Sequence, residues 1–327
     1  MMRQSLNRRR TLTIMAAACA TAAVPARSAA SRHVWKGPVL GGDGKLIFDG
    51  LDRGMSQTMV ALAVAEIDRL EQIFSLYLPN SEISRLNRER RLTQPTHDFQ
   101  TVLAASLDVW QRSDGAFNPA IQPLWQGLRE HFADDTKAAD PAPEQLLTLL
   151  KRCDPARIGA NANGISLEPG MALTLNGIAQ GYIADKVTAL LHQHGLRNTL
   201  VQLGETRALP GREWRIAVEG TGRYFSLHDG AVATSAGRGT RFTRDGRWHH
   251  LIDPLTGRSR NDFASVTVRA PTALQADAIS TALGATGGDS AMRILRRFPQ
   301  AGAIVQYASG DVVDLGGQPV SINGDKG

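Results

Sequence analysis

The sequence predicts an α+β fold with mixed, largely antiparallel sheets flanked by helices. Apolar residues recur at helical spacing in long segments up to His194, whereas short β-rich runs crowd the remainder. Strands and helices also fail to alternate steadily, which argues against a single doubly wound parallel sheet. The 327 residues are 42% apolar and 21% charged, an ordinary globular balance. A chain of that length can bury roughly 75% of its unfolded surface.

Taken in order, Lys45–Phe48 reads as a short strand. Met55–Phe74 sets Val60, Val64, Ile67, Leu70, Ile73 and Phe74 on one helical face. Ser81 has the character of a helix N-cap, with Ser84 standing where a capping box would carry Glu or Gln. Asp98–Arg112 is a helix burying Val102, Leu103, Leu107 and Trp110. Polar, proline-containing Asp134–Glu144 is a loop before a helix around Leu146–Leu150. Ala179–His194 is a helix carrying Ile183, Val187, Leu190 and Leu191. Strands follow at Leu200–Leu203, Trp214–Glu219, Tyr224–Leu227, Ala231–Thr234, Trp248–Ile252, Ser265–Ala270 and Ala303–Tyr307. Helices near Ala273–Leu283 and Ser290–Phe298 interrupt them.

Residues 1–30 stand apart from this body, 31–327. They hold Arg3, Arg8, Arg9, Arg10 and Arg27 and no acid. Without them, 32 basic residues face 31 acidic ones, so the net charge of +6 falls to +1 and offers no nucleic-acid surface. A basic start, a weakly apolar Leu12–Val24 and small residues up to Ala30 make a signal peptide. Arg9-Arg10 before Thr11-Leu12 suggests the twin-arginine route, with cleavage after Ser28 or Ala30 and a periplasmic destination. The apolar stretch is shorter than the roughly 20 residues a bilayer span needs. Lipid attachment at Cys19, after Ala16-Ala17-Ala18, is the lesser alternative. Membrane contact is expected only through such an anchor or through a membrane-bound target. Cys153 is the sole cysteine beyond the leader, which excludes a disulfide framework.

Several segments offer chemistry. Within Ala276–Ala282, Asp277 and Thr281 lie four apart and share a helical face. A carboxylate and a hydroxyl are hard oxygen ligands suited to Mg²⁺. Equally, Asp277 can complement a helix dipole with Thr281 incidental. Leu175–Tyr182 is glycine-bearing, follows an apolar run and opens a helix; such a turn admits a close ligand and presents N–H groups to an anion, or is merely a tight turn. His249-His250 precedes the turn Asp253-Pro254-Leu255-Thr256-Gly257. The pair can move protons, contact phosphate or simply decorate a hairpin end, and no further Cys/His cluster supports a transition metal. Ser113–Pro119 is a turn behind a Trp-bearing helix, and Tyr77 is placed to stack on an aromatic ring.

In their order along the chain these segments form a larger pattern. Phe74–Arg88, Asp114–Trp125, Leu175–Asp185, Leu203–Glu205, Val232–Gly257 and Ala276–Leu283 together resemble the ApbE family of FAD:protein FMN transferases, from about Gly37 to the C-terminal strands. The resemblance implies an exported, Mg²⁺-dependent enzyme. It would cleave FAD, attach FMN to a threonine hydroxyl of a redox-protein subunit and release AMP. Some relatives instead hydrolyse FAD to FMN and AMP, and a flavin-binding protein without catalysis is a further alternative. Carried over by position, Asp277, Thr281 and the Gly177 carbonyl would hold the metal. Leu40, Tyr77, Ala116, Phe117, Asn118, Thr174, Gln180 and Leu251 would contact FAD, and His250 would assist transfer.

The chain departs from the family pattern at several of these positions. Thr174 stands where Asp is common, Asn176 where Gly is, Asn118 where Asp is, and Gln180 where Lys is frequent. Leu203-Gly204-Glu205-Thr206 replaces the usual Leu-Gly-Gly-Asp, and Leu40-Gly41-Gly42 the usual Met-Gly-Thr. The metal pair is intact. The changes bear on adenine and isoalloxazine contacts more than on phosphate chemistry.

Overall fold

Eight strands form the principal sheet in the computed structural model, which describes residues 32–40, 42–133, 139–161 and 163–316 and the backbone of 321–322. The expected leader and Cys19 lie outside the described residues. The chain opens with β1 (Arg32–Val39) and β2 (Gly42–Asp49), then α1 (Arg53–Phe74), α2 (Glu82–Glu89), β3 (Arg91–Leu92), α3 (His97–Arg112), α4 (Gln122–Ala133) and α5 (Pro143–Leu150). After β4 (Gly159–Asn161) and β5 (Gly164–Ser166) come α6 (Asn176–Gln193), β6 (Thr199–Leu203), β7 (Thr206–Ala208), β8 (Trp214–Val218), β9 (Arg223–Leu227) and β10 (Gly230–Ser235). The remainder is β11 (Phe263–Ala270), α7 (Ala273–Gly284), α8 (Gly288–Leu295), β12 (Gly302–Tyr307), β13 (Val312–Leu315) and β14 (Ser321–Ile322).

The main sheet runs β1-β2-β6-β7-β10-β11-β12-β13, and every pairing in it is antiparallel. The α+β class read from the sequence is the observed one. Both faces are buried, and the two-residue period of a strand sorts side chains between them. In β2, Leu46 and Phe48 join the core shared with α1, α3, α6 and α7, while Ile47 faces a second core under β8 and β9. Val201 and Leu203 against Leu200, Ala231 and Ala233 against Val232, and Ala303 and Val305 against Ile304 repeat the division. A third, smaller cluster joins α4 and α5 to Trp248 and Ile252.

Helix ends follow the capping chemistry of their sequences. Asp52 accepts from the Met55 N–H at 2.8 Å, Ser81 from Ser84 at 3.2 Å, Thr96 from Phe99 at 3.3 Å and Thr272 from Gln275 at 3.2 Å. The start of α7 is also held from α6: Asp185 accepts from the N–H groups of Ala273 and Leu274, each at 2.9 Å. That carboxylate occupies the positive end of the α7 dipole and pairs with Arg207 at 3.3 Å.

The contact between α6 and α7 depends on the absence of two side chains. A Cβ on Gly181 would sit 2.2 Å from the Ala273 carbonyl oxygen, and one on Gly177 would sit 2.9 Å from Thr281 Oγ1. Glycines four apart on α6 thus meet Ala273, Asp277 and Thr281, also four apart, on α7. Gly181→Ala is expected to push the helices apart and cost about 1–3 kcal/mol by overpacking against backbone. Urea unfolding checks it; an unchanged midpoint would mean the helices yield freely.

Three expectations are corrected. Helix α6 begins at Asn176 rather than Ala179, because Thr174 Oγ1 accepts from the Asn176 N–H at 3.3 Å and draws the glycine turn into the first helical turn. Pro143 and Glu144 belong to α5 rather than to the preceding loop, with Pro143 at a first-turn position that needs no N–H donor. Residues 134–138 of that expected loop lie outside the described residues. Trp248–Ile252 is not a strand: only isolated bridges form, His249 with Arg241 and Ile252 with Ser259. Side chains pin it instead. Trp248 Nε1 donates to Asp140 Oδ1 at 2.9 Å, and the His249 N–H donates to Ser259 Oγ at 2.9 Å. Among the described residues, no helix is long and apolar enough to cross a membrane.

Candidate active site

The α6–α7 contact opens into a cavity of about 860 Å³. That lies at the upper end of the roughly 300–1,000 Å³ range of small-molecule sites. Tyr77, Ala116, Phe117, Asn118, Thr174, Gly177, Gln180, His250, Leu251, Asp277 and Thr281 all line it. Leu40 does not belong to this lining. It is half-buried against the core, holds a φ of +47° and donates its N–H to Glu71 Oε1 at 2.8 Å.

Asp277 is 4% exposed and accepts the Gly181 N–H through Oδ2 at 3.0 Å. Burial pushes its carboxyl up to about 7, against the pull of that N–H. The Thr281 hydroxyl donates to the Gly177 carbonyl at 3.4 Å. Carboxylate, hydroxyl and backbone carbonyl therefore converge from two helices, all hard oxygens. Among the described residues, no three His, Cys, Asp or Glu side chains gather into a metal-binding cluster. A site of mixed oxygen types fits Mg²⁺ better than it fits a soft transition metal.

In the folded, metal-free protein Asp277 stays protonated where an unfolded Asp, at 3.8, is already ionised. Its stabilising contribution is present at low pH and is lost as pH rises from about 4 to about 7. Metal-free wild type should therefore lose Tm relative to Asp277→Asn as the pH is raised through that window. Calorimetry of both proteins checks it, and a pH-independent difference would contradict it.

His249 and His250 have separate roles. His249 is 4% exposed; its Nε2 meets the Arg260 carbonyl at 2.9 Å, and its Nδ1 accepts the Leu251 N–H at 3.2 Å. Both ring nitrogens serve the loop, which leaves no room for the two histidines as a metal pair. His250 turns its Nδ1 to the Thr240 backbone, 3.2 Å from the carbonyl oxygen and 3.3 Å from the nitrogen, and lines the cavity. Burial lowers its pKa and the nearby His249 adds to the effect, so the ring is neutral and able to accept a proton near pH 7. Gly237 and Gly239 admit the two rings, since a Cβ on them would lie 2.7 Å and 3.2 Å from the imidazole carbons.

The remaining walls combine a firm frame with an open mouth. Asn118 donates to the Cys153 carbonyl and accepts from the Ala120 N–H, each at 2.8 Å, so its side chain braces the turn. Phe117 donates its N–H to Ser113 Oγ at 3.0 Å within that turn, where Asp114 and Gly115 take φ of +53° and +85°. Gln180 lies between Gly42 and Gly204; a Cβ on either would approach its side chain within 3.2 Å. Tyr77 is 68% exposed and offers an aromatic face at the mouth. Helix α4, which the sequence pattern did not reveal, adds Gln122, Trp125, Gln126 and Arg129 along one face. Arg238, Ser235 and Glu205 also line the cavity; none was singled out in the sequence, although all three fall within motifs, Val232–Gly257 and Leu203–Glu205.

Known proteins share this architecture. A structure of the flavin transferase ApbE from Vibrio cholerae matches with a TM-score of 0.72 at 24% identity, covering 87% of this chain and 97% of that one. An ApbE protein from Thermotoga maritima matches with a TM-score of 0.75 at 23% identity, covering 86% and 96%. In sequence, an FAD:protein FMN transferase of Treponema pallidum is 31% identical over 287 residues, 76% of this chain and 78% of the relative. One from Haemophilus influenzae is 30% identical over 246 residues, 68% and 71% of the two chains. The family model for ApbE matches residues 46–305, a span from β2 to β12 that contains every cavity-lining motif, and the chain belongs to the ApbE family.

Proposed function

We propose that this chain is an exported, Mg²⁺-dependent FAD:protein FMN transferase that attaches FMN to a threonine hydroxyl of a partner protein and releases AMP. The observation that carries the reading is the convergence of Gly177, Asp277, Thr281 and His250 on one cavity of about 860 Å³. The names of the sequence relatives support flavin transfer as its chemistry.

In this reading Gly177 O, Asp277 and Thr281 Oγ1 would hold Mg²⁺, and the ion when bound would supply charge neutralisation for the pyrophosphate. The Ala116–Asn118 turn, Thr174, Gln180 and Leu251 hold the two halves of FAD, and Tyr77 covers the flavin ring from the solvent side. The threonine oxygen attacks the FMN phosphorus. A new P–O bond forms, the bond to the bridging oxygen breaks, and AMP departs with that oxygen. The hydroxyl proton passes to neutral His250, whose Nδ1 is fixed by Thr240 and whose Nε2 remains to meet it. An open mouth beside an exposed Tyr77 gives a protein segment access. The partner is a flavin-accepting redox subunit, met in the periplasm after export.

Incubating the purified protein with FAD, Mg²⁺ and a threonine-bearing redox subunit tests the reading. Covalent flavin fluorescence on the subunit, together with AMP, is expected. FMN and AMP without labelling would make the protein a pyrophosphatase, and intact FAD would make it a binding protein.

A further inference from the structure

Glu205 occupies a position that hairpin tips rarely give to an acid. It lies in the short connection between β6 and β7, where Gly204 takes a φ of +91° and the Leu203 N–H donates to the Glu205 carbonyl at 2.9 Å. Turn residues ordinarily face water, yet Glu205 is 6% exposed and points into the cavity. A glutamate is almost never buried without a partner. Here Oε2 is fully enclosed and has no hydrogen-bond partner among the described residues. No Lys or Arg pairs with it among the described ion pairs, and the backbone N–H of Thr234 is its one supporting contact.

The buried Asp277 carboxyl is the neighbour of Glu205 across the cavity wall. Two buried acids thus line the same cavity as Gly177 and Thr281, whose carbonyl and hydroxyl meet there. A divalent cation would supply the missing partner of Oε2 and would favour the ionised form of both acids. A bound water would satisfy Oε2 but would give the two acids no charge to offset.

We infer that Glu205 is a fourth oxygen donor to the cation of this site, through Oε2. The inference rests on the proposed cation-assisted flavin transfer and adds a ligand contributed by the sheet to the three contributed by α6 and α7. It gives the β6–β7 tip a reason to enter the cavity, and it ties the helix pair to the sheet whenever the ion is bound.

The test is equilibrium Mn²⁺ binding, read from the free-ion paramagnetic resonance signal, for wild type, Glu205→Gln, Glu205→Asp and Asp277→Ala. Wild type is expected to bind one Mn²⁺, and Asp277→Ala to bind none. Glu205→Gln should bind about 10- to 100-fold more weakly. Metal-free Glu205→Gln should melt no lower than wild type, since a neutral isostere replaces a buried, unpaired acid. Mn²⁺ should raise its Tm less than it raises that of wild type. If Gln at this position disturbs folding, Glu205→Asp, which withdraws the carboxylate by one methylene, is expected to show the same weakening. Wild-type Mn²⁺ affinity in folded Glu205→Gln would overturn the inference while leaving the Asp277 site standing. The same affinity with flavin transfer lost would overturn it too and assign Glu205 to proton handling. Absence of Mn²⁺ binding by wild type would remove the cation site altogether, and this inference with it.

Discussion

Asp277→Ala is expected to reduce Mg²⁺-dependent AMP release by at least about 100-fold, because removing a ligand cannot cost less than removing a group that merely supports one. The substitution deletes the one carboxylate that α7 places beside Gly177 O and Thr281 Oγ1. It also strips the Gly181 N–H of its acceptor at a buried helix contact, so part of any loss can come from loosening α6 against α7. Asp277→Asn separates the two effects, since the amide oxygen still accepts that N–H while the charge is gone. Both variants should fail to bind Mg²⁺ by calorimetry, and only the alanine variant should melt well below wild type. Full AMP release by either would overturn the metal assignment.

His250→Ala should slow flavin transfer by about 10²- to 10⁴-fold, the usual worth of a positioned general base. FAD affinity should change little, because Tyr77, Phe117, Leu251 and the metal pair all remain. The pH profile adds a sharper signature. Burial lowers the His250 pKa, so the base should stay competent below its ordinary 6.5, and the variant should lose whatever acid limb this group produces. Transfer at the wild-type rate would remove His250 from the mechanism and turn attention to a carboxylate near the metal.

Much of the fold was legible because its signals were local. Met55–Phe74 and Asp98–Arg112 show their stripes directly, and the observed α1 and α3 differ from them by one or two residues. Helix α4 was hidden, since Pro123 and Gly127 interrupt the pattern; yet Pro123 sits in the first turn, and Gly127 makes room for Leu149. Strands β3, β4, β5 and β7, two or three residues each, are too short for any period to emerge. Trp248–Ile252 imitated a strand because residues on both sides of it are buried, although side-chain bonds to Asp140 and Ser259 rather than a ladder hold it.

The site was legible in pieces but not in its assembly. Asp277 and Thr281 share a face at any helical spacing, and only the glycine-mediated approach of α6 brings the Gly177 carbonyl to them. No pattern along the chain contains that contact, which spans 104 residues. The order of the six motifs stood in for it. Leu40, carried over as an FAD contact, has its N–H engaged by Glu71 and is not among the residues that line the cavity. Glu205 was visible as a letter in a motif, whereas its burial and its unpartnered oxygen are properties of the fold alone.

The central claim is that one chain breaks FAD and delivers the FMN half to a protein hydroxyl. The most direct measurement is the ratio of AMP released to flavin covalently bound, taken in one reaction containing the purified protein, FAD, Mg²⁺ and a redox subunit with its acceptor threonine. The account predicts one AMP for each flavin attached, and neither product when that threonine is replaced by alanine. AMP released in excess of attached flavin, undiminished by the threonine replacement, would contradict it.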